Sequence, residues 1–281
     1  MKQTGEFDGS GEREHVLRIS FRLLSDTILD RLRRLEANSL ITNFTLLIAF
    51  RLSAVDVFIR MAVTFLLNVL VYFINDFIDV EIDLASATKN RAKALYIRKH
   101  KGTGSVLIAC LSLCLLLLAA LYSGSVFFGV MLALLTTFLY TDYFKKMPFL
   151  DIMGCFMWGM AMAWPAIPDF SREGIRLIVL IGIFAASFEV VQCVKDFEED
   201  RRCNLRTTPI VIGIPNSFLI VRFLYALSAA YTVFVLKEMQ GLLLLLPIFL
   251  STLKRMETYW LELRLIFGFV WLTIMARLFF G

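Results

Sequence analysis

From residue 39 onward, long apolar runs alternate with short polar connections. The runs cover about 39–56, 59–79, 104–123, 125–141, 149–168, 174–195, 214–236, 241–254 and 261–280. A helix crossing the hydrocarbon core of a bilayer needs roughly 20 apolar residues, so the pattern predicts about nine transmembrane helices. Arg51 interrupts the first run, and the eighth is short. Ahead of them, residues 13–37 place Val16, Ile19, Leu23, Ile28 and Leu32 at helical spacing, with Arg18, Arg22, Arg31, Arg33 and Arg34 between. This predicts an amphipathic interfacial helix that either lies on a membrane surface or packs on the protein. Residues 1–12 are polar and Gly-rich and are expected to be a disordered tail, leaving 38–281 as one transmembrane domain.

Composition narrows the class. With 58% hydrophobic and 19% charged residues and a mean hydropathy of +0.72, an all-α polytopic membrane protein is expected rather than a soluble domain. The net charge of +5 comes from loops, and no soluble basic domain is left to present it, so no nucleic-acid partner is expected. The five cysteines include no Cys-x-x-Cys pair, which argues against a zinc site or a disulfide framework.

Basic residues also set an orientation. Lys89, Arg91, Lys93, Arg98, Lys99 and Lys101 follow the second run, Lys145 and Lys146 the fourth, Arg201, Arg202 and Arg206 the sixth, and Lys254 and Arg255 the eighth. All are even-numbered connections on one side. The positive-inside bias makes that side, and the N-terminus, cytosolic.

Two of those connections begin with acidic clusters. The second run ends Asn75-Asp76-Phe77-Ile78-Asp79-Val80-Glu81-Ile82-Asp83, which on a helix puts Asn75, Asp79 and Asp83 on one stripe, with Asn68 and Tyr72 upstream. The sixth ends Lys195-Asp196-Phe197-Glu198-Glu199-Asp200, with Asp196 and Asp200 one turn apart. Glu189, the deepest carboxylate in the chain, and Cys193 extend this second stripe into the membrane. Oxygen-bearing groups crowded at a membrane boundary call for a divalent cation. Two such stripes among Lys and Arg suit a diphosphate bridged by Mg2+. A lipid-facing cavity can then accept an isoprenoid tail, and 26 Phe, 8 Tyr and 4 Trp offer aromatic shielding for an allylic cation.

These motifs resemble those of the UbiA superfamily of intramembrane prenyltransferases. Its first motif, NDxxDxxxD, stands as Asn75-Asp76-x-x-Asp79-x-x-x-Asp83, followed by a TKNR stretch, Thr88-Lys89-Asn90-Arg91. Its tyrosine-to-lysine element resembles Tyr140–Lys145. Its second motif resembles Asp196-x-x-x-Asp200 followed by Asn204-Leu205-Arg206-Thr207-Thr208-Pro209. The chain departs from the pattern in having Cys193 at a frequent aspartate position, Asn204 at a usual glycine, Asn68 at a usual small residue, and no Pro or Gly after Arg91.

The resemblance implies a nine-helix bundle with Asn75, Asp79 and Asp83 on one Mg2+ and Asp196 and Asp200 on another. It gives Lys89, Arg91, Lys145, Lys195 and Arg206 to an isoprenyl diphosphate. Tyr140 is expected to bond the diphosphate, sit near the ionising carbon, or be a plain interface tyrosine. Asn68, Tyr72 and Glu189 are expected to line the substrate or acceptor side. The implied reaction is Mg2+-dependent ionisation of a prenyl diphosphate and prenyl transfer to a lipophilic acceptor, an aromatic ring among the choices. A terpene cyclase on the same scaffold is the alternative, and a transporter a third reading from another class.

Overall fold

The apolar runs fold as helices, cut where glycine, proline or a polar turn interrupts them. A computed structural model of the chain describes residues 9–33, 38–86, 89–250 and 255–281. Its helices are α1 (Gly9–Arg33), α2 (Asn38–Ala49), α3 (Ala54–Ile78), α4 (Val80–Ala85), α5 (Arg91–Lys99), α6 (Lys101–Tyr122), α7 (Gly124–Asp142), α8 (Leu150–Ala163), α9 (Arg172–Lys195), α10 (Phe197–Arg202), α11 (Thr208–Ile212), α12 (Ile214–Phe234), α13 (Leu246–Phe249) and α14 (Met256–Phe280).

Helix lies at each of the nine expected runs. Among the described residues six are long and apolar enough to cross a membrane: α3, α6, α7 with the turn that follows it, α9, α12 and α14. The other three are shorter for local reasons. α2 stops where Arg51 turns with φ 53; Trp164-Pro165 closes α8 with a 3₁₀ turn; Met239–Phe249 is a 3₁₀ stretch followed by the four-residue α13, which carries Pro247 in its first turn.

The expected tail over 1–12 is corrected at its far end, because α1 is already helical from Gly9. Residues 1–8 and 34–37, with Thr88 and Lys254, lie outside the described residues. α1 packs on α3, α5 and α6. It buries Ile19, Leu23 and Thr27 and exposes Leu17, Phe21 and Leu32. One face is therefore docked on the bundle while another apolar face points outward.

Two cores result. One joins α1, α3, α5, α6 and α7 around Leu67, Phe73, Ile74, Val126 and Val130. The other joins α2, α8, α9, α12 and α14 around Leu46, Phe184, Val191, Tyr225 and Trp271. Because lipid tails are as apolar as leucine, helices in a bilayer associate through close packing rather than hydrophobic burial. The α8–α9 contact shows this: a Cβ added at Gly159 would fall 2.5 Å from the Ala185 Cβ, and one at Gly182 2.8 Å from Met160 Cγ. This close approach brings Cys155 of α8 against Glu189 of α9.

Candidate active site

α3 and α9 belong to different cores, yet they end alike. α3 gives way at Asp79 (φ −78, ψ 6) to the six-residue α4. α9 gives way at Asp196 (φ −91, ψ 10) to the six-residue α10. At each kink the i→i+4 backbone bonds continue. The Asp79 and Asp83 amides donate to the Asn75 and Asp79 carbonyls at 2.9 and 2.8 Å, and the Asp196 and Asp200 amides to the Gln192 and Asp196 carbonyls at 2.9 and 2.8 Å. The carboxylates expected on a stripe therefore stay on it despite the break.

Lys145, from the 3₁₀ turn after α7, stands between the two stripes. Its Nζ is 2.5 Å from Asp79 Oδ2, and it also interacts electrostatically with Asp83, Asp200 and Glu189. Asp79 is only 2% exposed, and its other oxygen, Oδ1, is buried with no hydrogen-bond partner. A buried carboxylate oxygen without a partner carries a desolvation cost that a bound cation removes.

The neighbouring acids show the same need. Burial raises the Asp83 carboxyl above its ordinary range, with Lys89 opposing the rise. Burial, and after it the Asp196 carboxylate, pushes Asp200 up to about 7 against the pull of Lys145. Among the described residues no group of three or more His, Cys, Asp or Glu is arranged to hold a metal unaided. The donor set is hard oxygen and divided between two helix ends, which suits cations that take further oxygens from a phosphate.

The remaining predicted residues separate into groups. Lys89 faces Asp83, while Arg91, Lys195 and Arg206 are exposed. Asn68 is buried and its Nδ2 donates to Ser39 Oγ of α2. Tyr72 lies under the Arg31 guanidinium, 4.2 Å from its ring centre. The Tyr140 hydroxyl donates to Glu189 Oε1. Cys155 and Cys193 donate their thiols to the same carboxylate at 3.2 Å each. Glu189 thus sits one turn deeper than the frequent aspartate position that Cys193 occupies.

Several positioning residues were missed by the sequence reading. Thr141 Oγ1 is 3.4 Å from Asn75 Oδ1, Gln192 Nε2 donates to Asp196 at 2.7 Å, and Thr207 Oγ1 is 3.3 Å from Asp200 Oδ2. Spacing offered a signal, since Thr141 is one turn before Lys145 and Gln192 one turn before Asp196. Asn204 adopts φ 55, a left-handed conformation that glycine enters freely and asparagine better than most other residues, which accounts for the exchange.

The loop carrying Thr207 is itself anchored. Asp151 is fully buried, and its Oδ2 accepts from the Thr208 amide at 2.6 Å while its Oδ1 accepts from the Thr208 hydroxyl. Asp151→Ala leaves that buried amide without an acceptor, at a cost of about 1–3 kcal/mol. A lowered melting temperature in detergent is expected, with weakened turnover, because Thr207 loses its hold on Asp200. Wild-type melting would show that the loop is held by other contacts.

Comparison with known proteins follows from this geometry. The model of the UbiA prenyltransferase family matches residues 42–264. The digeranylgeranylglyceryl phosphate synthase of Pyrococcus horikoshii is 30% identical over 155 residues, 52% of this chain and 53% of the relative, so the chain spans about half the length of that relative. A UbiA homolog from Archaeoglobus fulgidus, solved bound to GPP and Mg2+, superposes with a TM-score of 0.69 at 13% identity, covering 94% of this chain and 100% of that one. A solved digeranylgeranylglyceryl phosphate synthase gives a TM-score of 0.71 at 17% identity, covering 95% and 100%. At these identities the structural likeness is one of fold.

Proposed function

The chain belongs to the UbiA prenyltransferase family, and on that premise we propose that it ionises an isoprenyl diphosphate within the bilayer and transfers the prenyl group to a lipophilic acceptor. The observation that carries this reading is the pair of matched acidic helix ends meeting at Lys145, with a buried Asp79 oxygen lacking a partner. The A. fulgidus neighbours, solved with Mg2+ and GPP or DMAPP, support a divalent cation and a prenyl diphosphate here. Asn75, Asp79 and Asp83 would hold one Mg2+, and Asp196 and Asp200 a second. Magnesium bound there would withdraw electrons from the diphosphate and make it a good leaving group.

The chain's own residues do the rest. Lys145 is placed to exchange its contact with Asp79 for one with the departing diphosphate, and Lys89 approaches from the Asp83 side. Arg91, Lys195 and Arg206 are exposed and close in sequence to the acidic helix ends, and their side chains would reach a diphosphate as it enters. The allylic C–O bond breaks with its electron pair going to diphosphate; the acceptor forms the new bond to carbon and gives up a proton. Glu189, held by Tyr140, Cys155 and Cys193, would serve the acceptor, with one of those donors yielding its place to an acceptor hydroxyl. Asn68 and Tyr72 are turned to Ser39 of α2 and to Arg31 of α1, so neither is given a part at the acceptor. The basic loops beside the acidic end support a cytosolic position for it.

The test is diphosphate release by purified protein with Mg2+ and geranyl, farnesyl or geranylgeranyl diphosphate, with and without acceptors. Phenols and phosphorylated glycerol lipids are both tried, the latter because the P. horikoshii relative is named for a prenylated glyceryl phosphate. Release that needs an acceptor and stops with EDTA is expected. A cyclic terpene formed without acceptor would replace transfer by cyclisation. Intact substrate under all combinations would overturn both.

A further inference from the structure

Asp76 is adjacent to the first ligand position, yet its surroundings differ from those of Asp79. Both of its oxygens are taken. Oδ1 is 2.9 Å from Arg31 Nη2; Oδ2 is 2.5 Å from Lys93 Nζ and 3.3 Å from the Thr27 hydroxyl that donates to it. Lys93 Nζ also lies 3.2 Å from Asp30 Oδ2. Asp76 is 4% exposed and Lys93 8%. Three elements distant in sequence (α1, α3 and α5) are joined through this one carboxylate, and Arg31 and Arg22 of α1 stack on Tyr72 of α3 and Tyr96 of α5.

The network borders the acidic stripe. Asp30, Arg31, Asp76 and Lys93 line a small cleft together with Asp83 and Lys89, and Asp83 senses the Asp76 charge. The Asn90 side chain caps α5 by accepting from the Lys93 amide at 3.2 Å, which fixes the turn that precedes the helix to its first residues. Lys93 therefore ties the segment bearing Lys89 and Arg91 to α3. A buried ion pair contributes little net stability against an apolar replacement, but removing one partner is costly, so such pairs fix geometry more than they add energy.

We propose that Asp76 is a positioning residue and not a metal ligand, and that through Arg31 and Lys93 it clamps α1 and α5 onto α3 to set the diphosphate-binding segment 89–91. This rests on the prenyl diphosphate reading for its effect on turnover, but the clamp itself is measurable without substrate.

The experiment compares Asp76→Asn, Arg31→Met, Lys93→Met and the exchange Asp76→Lys with Lys93→Asp, all in the full-length protein in detergent. Hydrogen exchange of α1 and α5 is followed without ligand, and KM for the prenyl diphosphate and the Mg2+ concentration for half-maximal rate are measured with it. Each single variant is expected to speed exchange in both helices at least about tenfold and to raise KM more than it lowers kcat, with the Mg2+ requirement unchanged. The exchanged pair is expected to regain protection and affinity. A shifted Mg2+ requirement in Asp76→Asn, matching that of Asp79→Asn and unrepaired by the exchange, would overturn the proposal by making Asp76 a ligand. Unchanged exchange in all single variants would overturn the clamp. Should Asp76→Asn fail to fold, Arg31→Met and Lys93→Met decide by the same readouts. Wild-type protein that turns over no prenyl diphosphate would defeat the functional reading while leaving the exchange result to judge the clamp.

Discussion

Asp79→Ala is expected to lower Mg2+-dependent diphosphate release by at least about a thousandfold. A cation on the leaving group contributes several kcal/mol to the transition state, and each 1.36 kcal/mol is a factor of ten in rate. Asp79 is the most buried acid of either stripe, and it alone combines a contact to Lys145 with an oxygen that has no partner. The substitution removes a charge from beside Lys145, which in a sealed core would cost several kcal/mol of stability. Here the Lys145 side chain is 24% exposed and already interacts with Asp83 and Asp200, so it can pair with them. Folding is therefore expected to survive, with elution in detergent as for the wild type. Asp79→Asn, which keeps the shape, is expected to be nearly as inactive. Turnover within tenfold of wild type in both variants would remove the two-stripe site from the mechanism.

Much of this arrangement was legible in the chain. Most of the apolar runs are long, so helices fall where hydropathy puts them, and the acidic stripes follow from i, i+4 spacing that survives the kinks at Asp79 and Asp196. Features depending on contacts between distant segments were not legible. Asp76 has the same residue type and nearly the same position as its neighbours on the stripe. Its pairing with Arg31 and Lys93 is set by where α1 and α5 dock, which periodicity does not encode. Asp151 looks like an ordinary acid at a helix start until Thr208 is brought to it from 57 residues away. The sequence leaves Tyr140 open between the diphosphate, the ionising carbon and an interface role, and the contact of its hydroxyl with Glu189, 49 residues on, is set by how α7 and α9 pack. The shortness of α2 and of Met239–Phe249 is signalled by Arg51 and by the brevity of the eighth run, but the positive φ and the 3₁₀ turns that produce it are not.

The second stripe yields a prediction with a definite sign in pH. Asp200→Ala is expected to reduce turnover as severely as Asp79→Ala, because Asp196 is then left as the one motif carboxylate on that helix end. Asp200 also differs from Asp79 in responding to pH near neutrality. Its carboxyl is raised from 3.8 to about 7 by burial and by Asp196, so the folded protein without metal holds this proton more tightly than the unfolded chain does. Stability from that proton is fully present below pH 3.8 and is lost as pH rises through about 7. Protein stripped with EDTA is therefore expected to melt lower at pH 8 than at pH 5.5. Added Mg2+ competes with the proton, so its stabilising effect should grow over the same interval and its half-saturating concentration should fall. In Asp200→Asn the carboxyl is gone, and the part of both trends that it causes is expected to vanish while the fold persists. If the variant kept the full wild-type pH dependence of Mg2+ stabilisation, the cation would have to be held elsewhere, and the pairing of Asp196 with Asp200 would lose its role.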